Sequence, residues 1–166
     1  MTVKEKLNKC FKEGESSGRH KGLKRIEVSE GKINGHLIKA NKNFFAIEDF
    51  KKIGHSDWSP SAAFYSIYHL LLALLAKHRI ESRNQSCTFA FIEDLIDKGE
   101  VELTKNDLKE IFDKEVEENI EQSDKILDLR EIAQYSTKTN MEDREFEHMK
   151  NRTKMLFDKI KKEIEK

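Results

Sequence analysis

Three hydrogen-bonding side chains, Tyr65, Tyr68 and His69, stand three and four positions apart inside the run Ser61-Ala-Ala-Phe-Tyr-Ser-Ile-Tyr-His69. On a helix that spacing gathers them on one face. Buried polar tips need partners, which leaves two readings: core aromatics satisfied by neighbouring helices, or a cluster facing a ligand. A second segment, Asp128-Leu-Arg-Glu-Ile-Ala-Gln-Tyr-Ser136, places Arg130 on a helix that otherwise turns apolar residues inward. An arginine there pairs with Asp128 or Glu131, or it clamps a phosphate, because its planar fork suits carboxylate and phosphate alike. The basic run from Arg19 to Arg25 reads as a solvated tail or a weak hold on a phosphate backbone.

Commoner chemistries lack their signatures. No Gly-rich phosphate loop follows a strand, no histidines stand at i and i+4 for zinc, and no nucleophile elbow is present. The sequence therefore predicts neither a metal site nor a cofactor. Cys10 and Cys87 have no metal-ligand spacing, and two cysteines without a signal peptide predict free thiols in a reducing, cytoplasmic setting. The 31 Lys and Arg cancel 31 Asp and Glu, so no overall field draws the chain onto nucleic acid or membrane, and charge-driven binding must be local. One such local concentration runs from Glu100 to Glu131, where twelve acids meet five bases.

The elements that must hold these residues are helices. Seven Gly and a single Pro in 166 residues leave few obligatory breaks. Ile33, Leu37, Ala40, Phe44 and Ile47 form one stripe and predict a helix from Ser29 to Ile53, stopped by Gly54. Pro60 suits the first turn of a helix from Ser59 to Arg79 that is apolar on nearly every side and belongs at the bundle centre. Its stretch Ala62 to Ala76 is shorter than the roughly 20 apolar residues of a membrane span. A helix from Thr88 to Lys98 ends at Gly99. Thr104 with Asp107 reads as a capping box for a helix carrying Leu108, Ile111, Phe112 and Val116, and Ser123 starts a segment bearing Ile126 to Ala133. Whether these are one helix or two is open. Thr139 with Glu142 reads as a second capping box, before Phe146, Met149, Thr153, Leu156, Phe157, Ile160 and Ile164. The expected architecture is all-α: residues 1–28 as a basic arm with a short helix, then an up-and-down bundle of four to five main helices over 29–166.

With both segments in view, the chain resembles HEPN proteins, small helical bundles tied to nucleotides and RNA. Ala63-Phe64-Tyr65-Ser66-Ile67-Tyr68-His69 is similar to the Ala-Tyr-Tyr-Ala-x-Phe-His of their second helix. Arg83-Asn-Gln-Ser-Cys87 echoes a Lys-His-Ser-Gly-like patch, and Arg130-Glu-Ile-Ala-Gln-Tyr135 an Arg-Asn-Glu-Ala-Asp-Tyr-like run. The resemblance covers about Ser29 to Lys166.

It implies a homodimer in which Arg130 holds a phosphate and Tyr65, Tyr68 and Arg83 contact the ligand. In metal-independent ribonucleases of the family, an arginine is followed after four to six residues by a histidine that moves the proton of the RNA 2′-hydroxyl. Here that position is Tyr135, whose ordinary pKa near 10 makes it a poor base at neutral pH, and the 3.6-residue repeat sets it about 140° round the helix from Arg130. His69 is the candidate replacement base. The resemblance thus implies a nucleotide- or RNA-binding protein, a toxin–antitoxin component acting with a nucleotidyltransferase. The alternatives are a ribonuclease using Arg130 and Tyr135, and a protein-interaction module recruiting a basic partner to the acidic Glu100 to Glu131 face.

Overall fold

The computed structural model describes residues 1–16, 21–111 and 126–166. Arg19, Phe112, Val116 and Ser123 lie outside the described residues, as does much of the acidic stretch. Among the described residues the fold is all-α, as expected: α1 (Val3–Ser16), α2 (Glu30–Lys52), α3 (Ser59–Lys77), α4 (Gln85–Asp97), α5 (Lys105–Ile111), α6 (Ile126–Tyr135) and α7 (Asp143–Glu165). Two three-residue strands, β1 (Leu23–Arg25) and β2 (Ile80–Ser82), pair antiparallel with Leu23 opposite Ser82.

α3 is the axis of the bundle because nearly every side of it is apolar. Phe64, Ile67, Leu70, Leu71, Leu74 and Leu75 are fully buried, and α2, α7, α6 and α4 all pack on it. Together with the preceding turn, Ser56–Lys77 is long and apolar enough by composition to cross a membrane, so shortness does not set it apart; 78% of its apolar window is buried inside the bundle. Length leaves a core helix and a span alike, and burial distinguishes them.

Helix ends follow local chemistry. Ser29 and Asn84 cap α2 and α4 by accepting from the amides of Lys32 and Cys87. Gly54 and Gly99 take positive φ just past α2 and α4. The first capping box forms: the Thr104 amide donates to Asp107 and the Asp107 amide to Thr104 Oγ1, at 2.7 and 3.1 Å. The second does not. α7 starts at Asp143 with Glu142 as its cap and no side-chain bond there, while the neighbouring Met141 amide donates to Ser56 Oγ at 2.8 Å. A tertiary contact thus sets where the linker enters α7. At the other end of α7, Lys77 Nζ donates to the Glu163 and Ile164 carbonyls, each at 3.1 Å, filling acceptors a helix terminus leaves open.

Two expectations about the N-terminal region are corrected. The cysteines are not free: Cys10 on α1 and Cys87 on α4 form a disulfide across 77 residues of chain. Spacing along the chain cannot show that two distant helices bring their thiols together, and the argument from free thiols to a reducing compartment falls with the expectation. Nor is the basic run a solvated tail where it is described, since Leu23–Arg25 pairs with β2. α1 packs on α4, and Leu7, Cys10 and Leu23 are buried. Gly14 within α1 makes room for that strand, since a β-carbon there would overlap the Leu23 carbonyl of β1. Arg79, with φ of 63°, turns α3 back into β2.

Candidate functional site

The residues singled out on α3 do not converge on one site; they divide between two clefts. Tyr65 faces α6. It is 37% exposed and its hydroxyl accepts a hydrogen bond from Arg130 Nη1 at 3.2 Å. The guanidinium carbon of Arg130 lies 4.7 Å from the centre of the buried Phe64 ring and 5.7 Å from that of Tyr65. Such cation–π contacts hold an arginine in place without neutralising it. No carboxylate among the described side chains pairs with Arg130, and its Nε is buried with no hydrogen-bond partner. The cleft beside it holds about 450 Å³ and is lined by Asp57, Trp58, Ser61, Tyr65, Arg130 and the α6–α7 linker from Ser136 to Thr139. Trp58, the only tryptophan, is 58% exposed there. Tyr135 ends α6, is 82% exposed and does not line this cleft.

Tyr68 and His69 belong elsewhere. The Tyr68 hydroxyl is 3.3 Å from Thr88 Oγ1, which in turn lies 2.8 Å from Ser82 Oγ and 3.0 Å from the Asn84 carbonyl. This buried network joins α3, β2 and α4, and burial pushes the phenol pKa up from its ordinary value. Tyr68 is a satisfied core residue touching the edge of a cleft. His69 meets His36 of α2, Nδ1 to Nδ1 at 3.1 Å, with ring centres 5.3 Å apart. Burial, followed by the neighbouring His36 and Lys39, pushes His69 down to about 4. His36 is lowered by burial and by Lys39, against the pull of Glu81. With both lowered, the neutral rings predominate at pH 7, one donating its Nδ1 proton and the other accepting it.

This second cleft, of about 550 Å³ between α2, α3 and β2, also takes in Lys32, Lys39, Glu81 and Arg83. Glu81 accepts from Lys32 Nζ in a short contact and lies 3.8 Å from Arg83 Nε. The structure thus brings together Arg130 with Tyr65, and His69 with Tyr68 and Arg83. It sets His69 apart from Arg130 and leaves Tyr135 outside both clefts of the single chain. Sequence reasoning missed His36, Trp58 and Lys39. A lone tryptophan beside a helix start was a readable signal for Trp58, but nothing in the chain ties residue 36 to residue 69.

No curated relative matches the chain. A family model for the HEPN domain matches residues 34–164, which takes in α3, α6, the lining of the Arg130 cleft and that of the histidine cleft except Ile26 and Lys32, and HEPN domains carry nucleotide- and RNA-related functions and commonly dimerise. With a helical bundle around α3 and that match over most of its length, the chain belongs to the HEPN domain family.

Proposed function

We propose that this HEPN protein binds the phosphates of RNA or a nucleotide through Arg130, as a homodimer and as a toxin–antitoxin component acting with a nucleotidyltransferase. One observation carries the reading. Arg130 is held by Phe64 and Tyr65 beside a cleft, with its Nε unsatisfied and no carboxylate among the described side chains paired with it, Asp57 being the acid on the cleft wall. A preorganised guanidinium outside any ion pair suits phosphate recognition. The exposed Trp58 in the same cleft supports a base stacked beside that phosphate. A cytoplasmic site of action belongs to this reading through its ligands, not through the cysteines.

The ribonuclease alternative needs a base near Arg130. Within one chain His69 lines the other cleft, so that reading relies on a second copy, to which the exposed Tyr135 is accessible. RNA binding and cleavage by wild type and Arg130→Ala, side by side in EDTA with the dimeric state checked, test all of this. Binding that weakens about tenfold or more in the variant, a charge-assisted contact being worth about 1.5–3 kcal/mol, supports the proposal. Arg130-dependent cleavage turns it into a ribonuclease. No binding of RNA, ATP or GTP leaves the interaction-module alternative.

A further inference from the structure

The cleft holding the two histidines is separate from the Arg130 site, and its chemistry is different. Three cations, Lys32, Lys39 and Arg83, line it against a single carboxylate, Glu81. Glu81 lies between Lys32 and Arg83, and Lys39 makes no ion pair among the described residues. With both histidines neutral, two positive charges stand unopposed. A phosphate monoester, at roughly −1.5 to −2 near pH 7, matches that excess where a carboxylate or a phosphodiester carries only one charge.

The histidine pair adds a second match. Each Nδ1 is committed to the other ring, so one ring must donate its Nδ1 proton and the other accept it. The donor ring is then bare at Nε2 and the acceptor ring carries Nε2–H. Swapping these roles takes two protons: the shared proton crosses between the Nδ1 atoms while an Nε2 proton returns through solvent. The couple therefore offers one donor and one acceptor in either arrangement, which complements a phosphate titrating near pH 6 and present in both protonation states. Around these polar groups Ile26, Leu72, Ala76 and Ile80 supply apolar wall, and about 550 Å³ is within the range of small-molecule sites. A bare phosphate would leave that wall idle.

We infer that the α2–α3–β2 cleft binds a phosphate monoester of a small organic alcohol, with Lys39 and Arg83 on the anion, the His36–His69 couple hydrogen-bonding it, and the apolar wall taking the organic group. The site is independent of the Arg130 reading.

The test titrates the full chain with phenyl phosphate, following the imidazole resonances by NMR and the affinity by calorimetry. Phenyl sulfate, singly charged, and inorganic phosphate, lacking an organic group, are run alongside, and adenosine and ribose 5-monophosphates ask which alcohol is preferred. Expected are shifts of the His36 and His69 signals, affinity about tenfold or more weaker in Lys39→Ala/Arg83→Ala, and affinity within about twofold of wild type in Lys154→Ala, an exposed lysine of α7 outside both clefts. Both residues of the double variant are on the surface, and circular dichroism confirms its fold. Absence of phenyl phosphate binding, equal binding of phenyl sulfate or inorganic phosphate, or loss of binding in Arg130→Ala but not in the double variant each overturns the assignment.

Discussion

The two clefts share α3 but handle charge in opposite ways. On the α6 side a single arginine rests on aromatic rings with no counterion among the described side chains. On the α2 side several cations meet a carboxylate, and two histidines satisfy each other as neutral rings. Tyr65 and His69 are one helical turn apart, yet each takes its chemistry from the helix opposite: Arg130 from α6 for one, His36 from α2 for the other. A cation over a ring keeps its charge available for an anion, whereas two rings bonded through their Nδ1 atoms cannot both be charged, because one must accept. The comparison teaches that the spacing of polar residues on a core helix proposes a cluster, and the helices packed around it decide how many sites that cluster becomes.

The clefts also differ in how they are fastened, and this yields the largest expected effect. β2 supplies Ile80, Glu81 and Ser82 to the histidine cleft, with Arg83 next in the chain, and pairs with β1, which follows the disulfide-bonded α1; the Arg130 cleft has no such tie. Cys10→Ser with Cys87→Ser should lower stability by about 2–4 kcal/mol, the typical contribution of a disulfide, measured by urea unfolding. In the same variant, amide exchange should accelerate at β2 before it does at α6. Uniform acceleration would mean that the clefts are not separately fastened.

Next is Arg130→Ala, expected to cost about 1.5–3 kcal/mol in RNA or nucleotide affinity, with Arg130→Lys recovering little because an ammonium lacks the stacked, forked geometry. Full recovery by lysine would show that only a point charge matters.

A smaller effect distinguishes the clefts by pH. His69 has a folded-state pKa of about 4 against an unfolded value near 6.5. Between those values the unfolded chain binds a proton that the folded chain does not, so stability falls as pH drops from 6.5 towards 4 and this contribution levels off below. For a partly buried ring the loss should be about 1–2 kcal/mol, and His69→Gln should flatten the curve between pH 6.5 and 5, above the carboxylate range. An unchanged slope would put the pH dependence elsewhere.

The smallest effect is Tyr135→Phe. An exposed residue outside both clefts should change stability by under about 0.5 kcal/mol, read by thermal unfolding. Any Arg130-dependent RNA cleavage that it abolishes would then locate Tyr135 in a site completed by a second copy.

Much of the fold could be read from the chain because its signals are local. The stripe of Ile33, Leu37 and Ala40, Pro60 in the first turn of α3, the Thr104–Asp107 box and the stops at Gly54 and Gly99 each act within a few residues, and each is present. The short motifs around Tyr65 and Arg130 marked two elements that the structure joins by a hydrogen bond. Tertiary structure alone decided three matters: that Cys10 meets Cys87, that Thr139 yields to the Met141–Ser56 contact at the start of α7, and that His36 meets His69. Each depends on two segments well separated in sequence coming within a few ångströms. Periodicity and caps act over one or two turns and carry no information about which distant helix will cover a face; packing the apolar stripes of the whole bundle determines that.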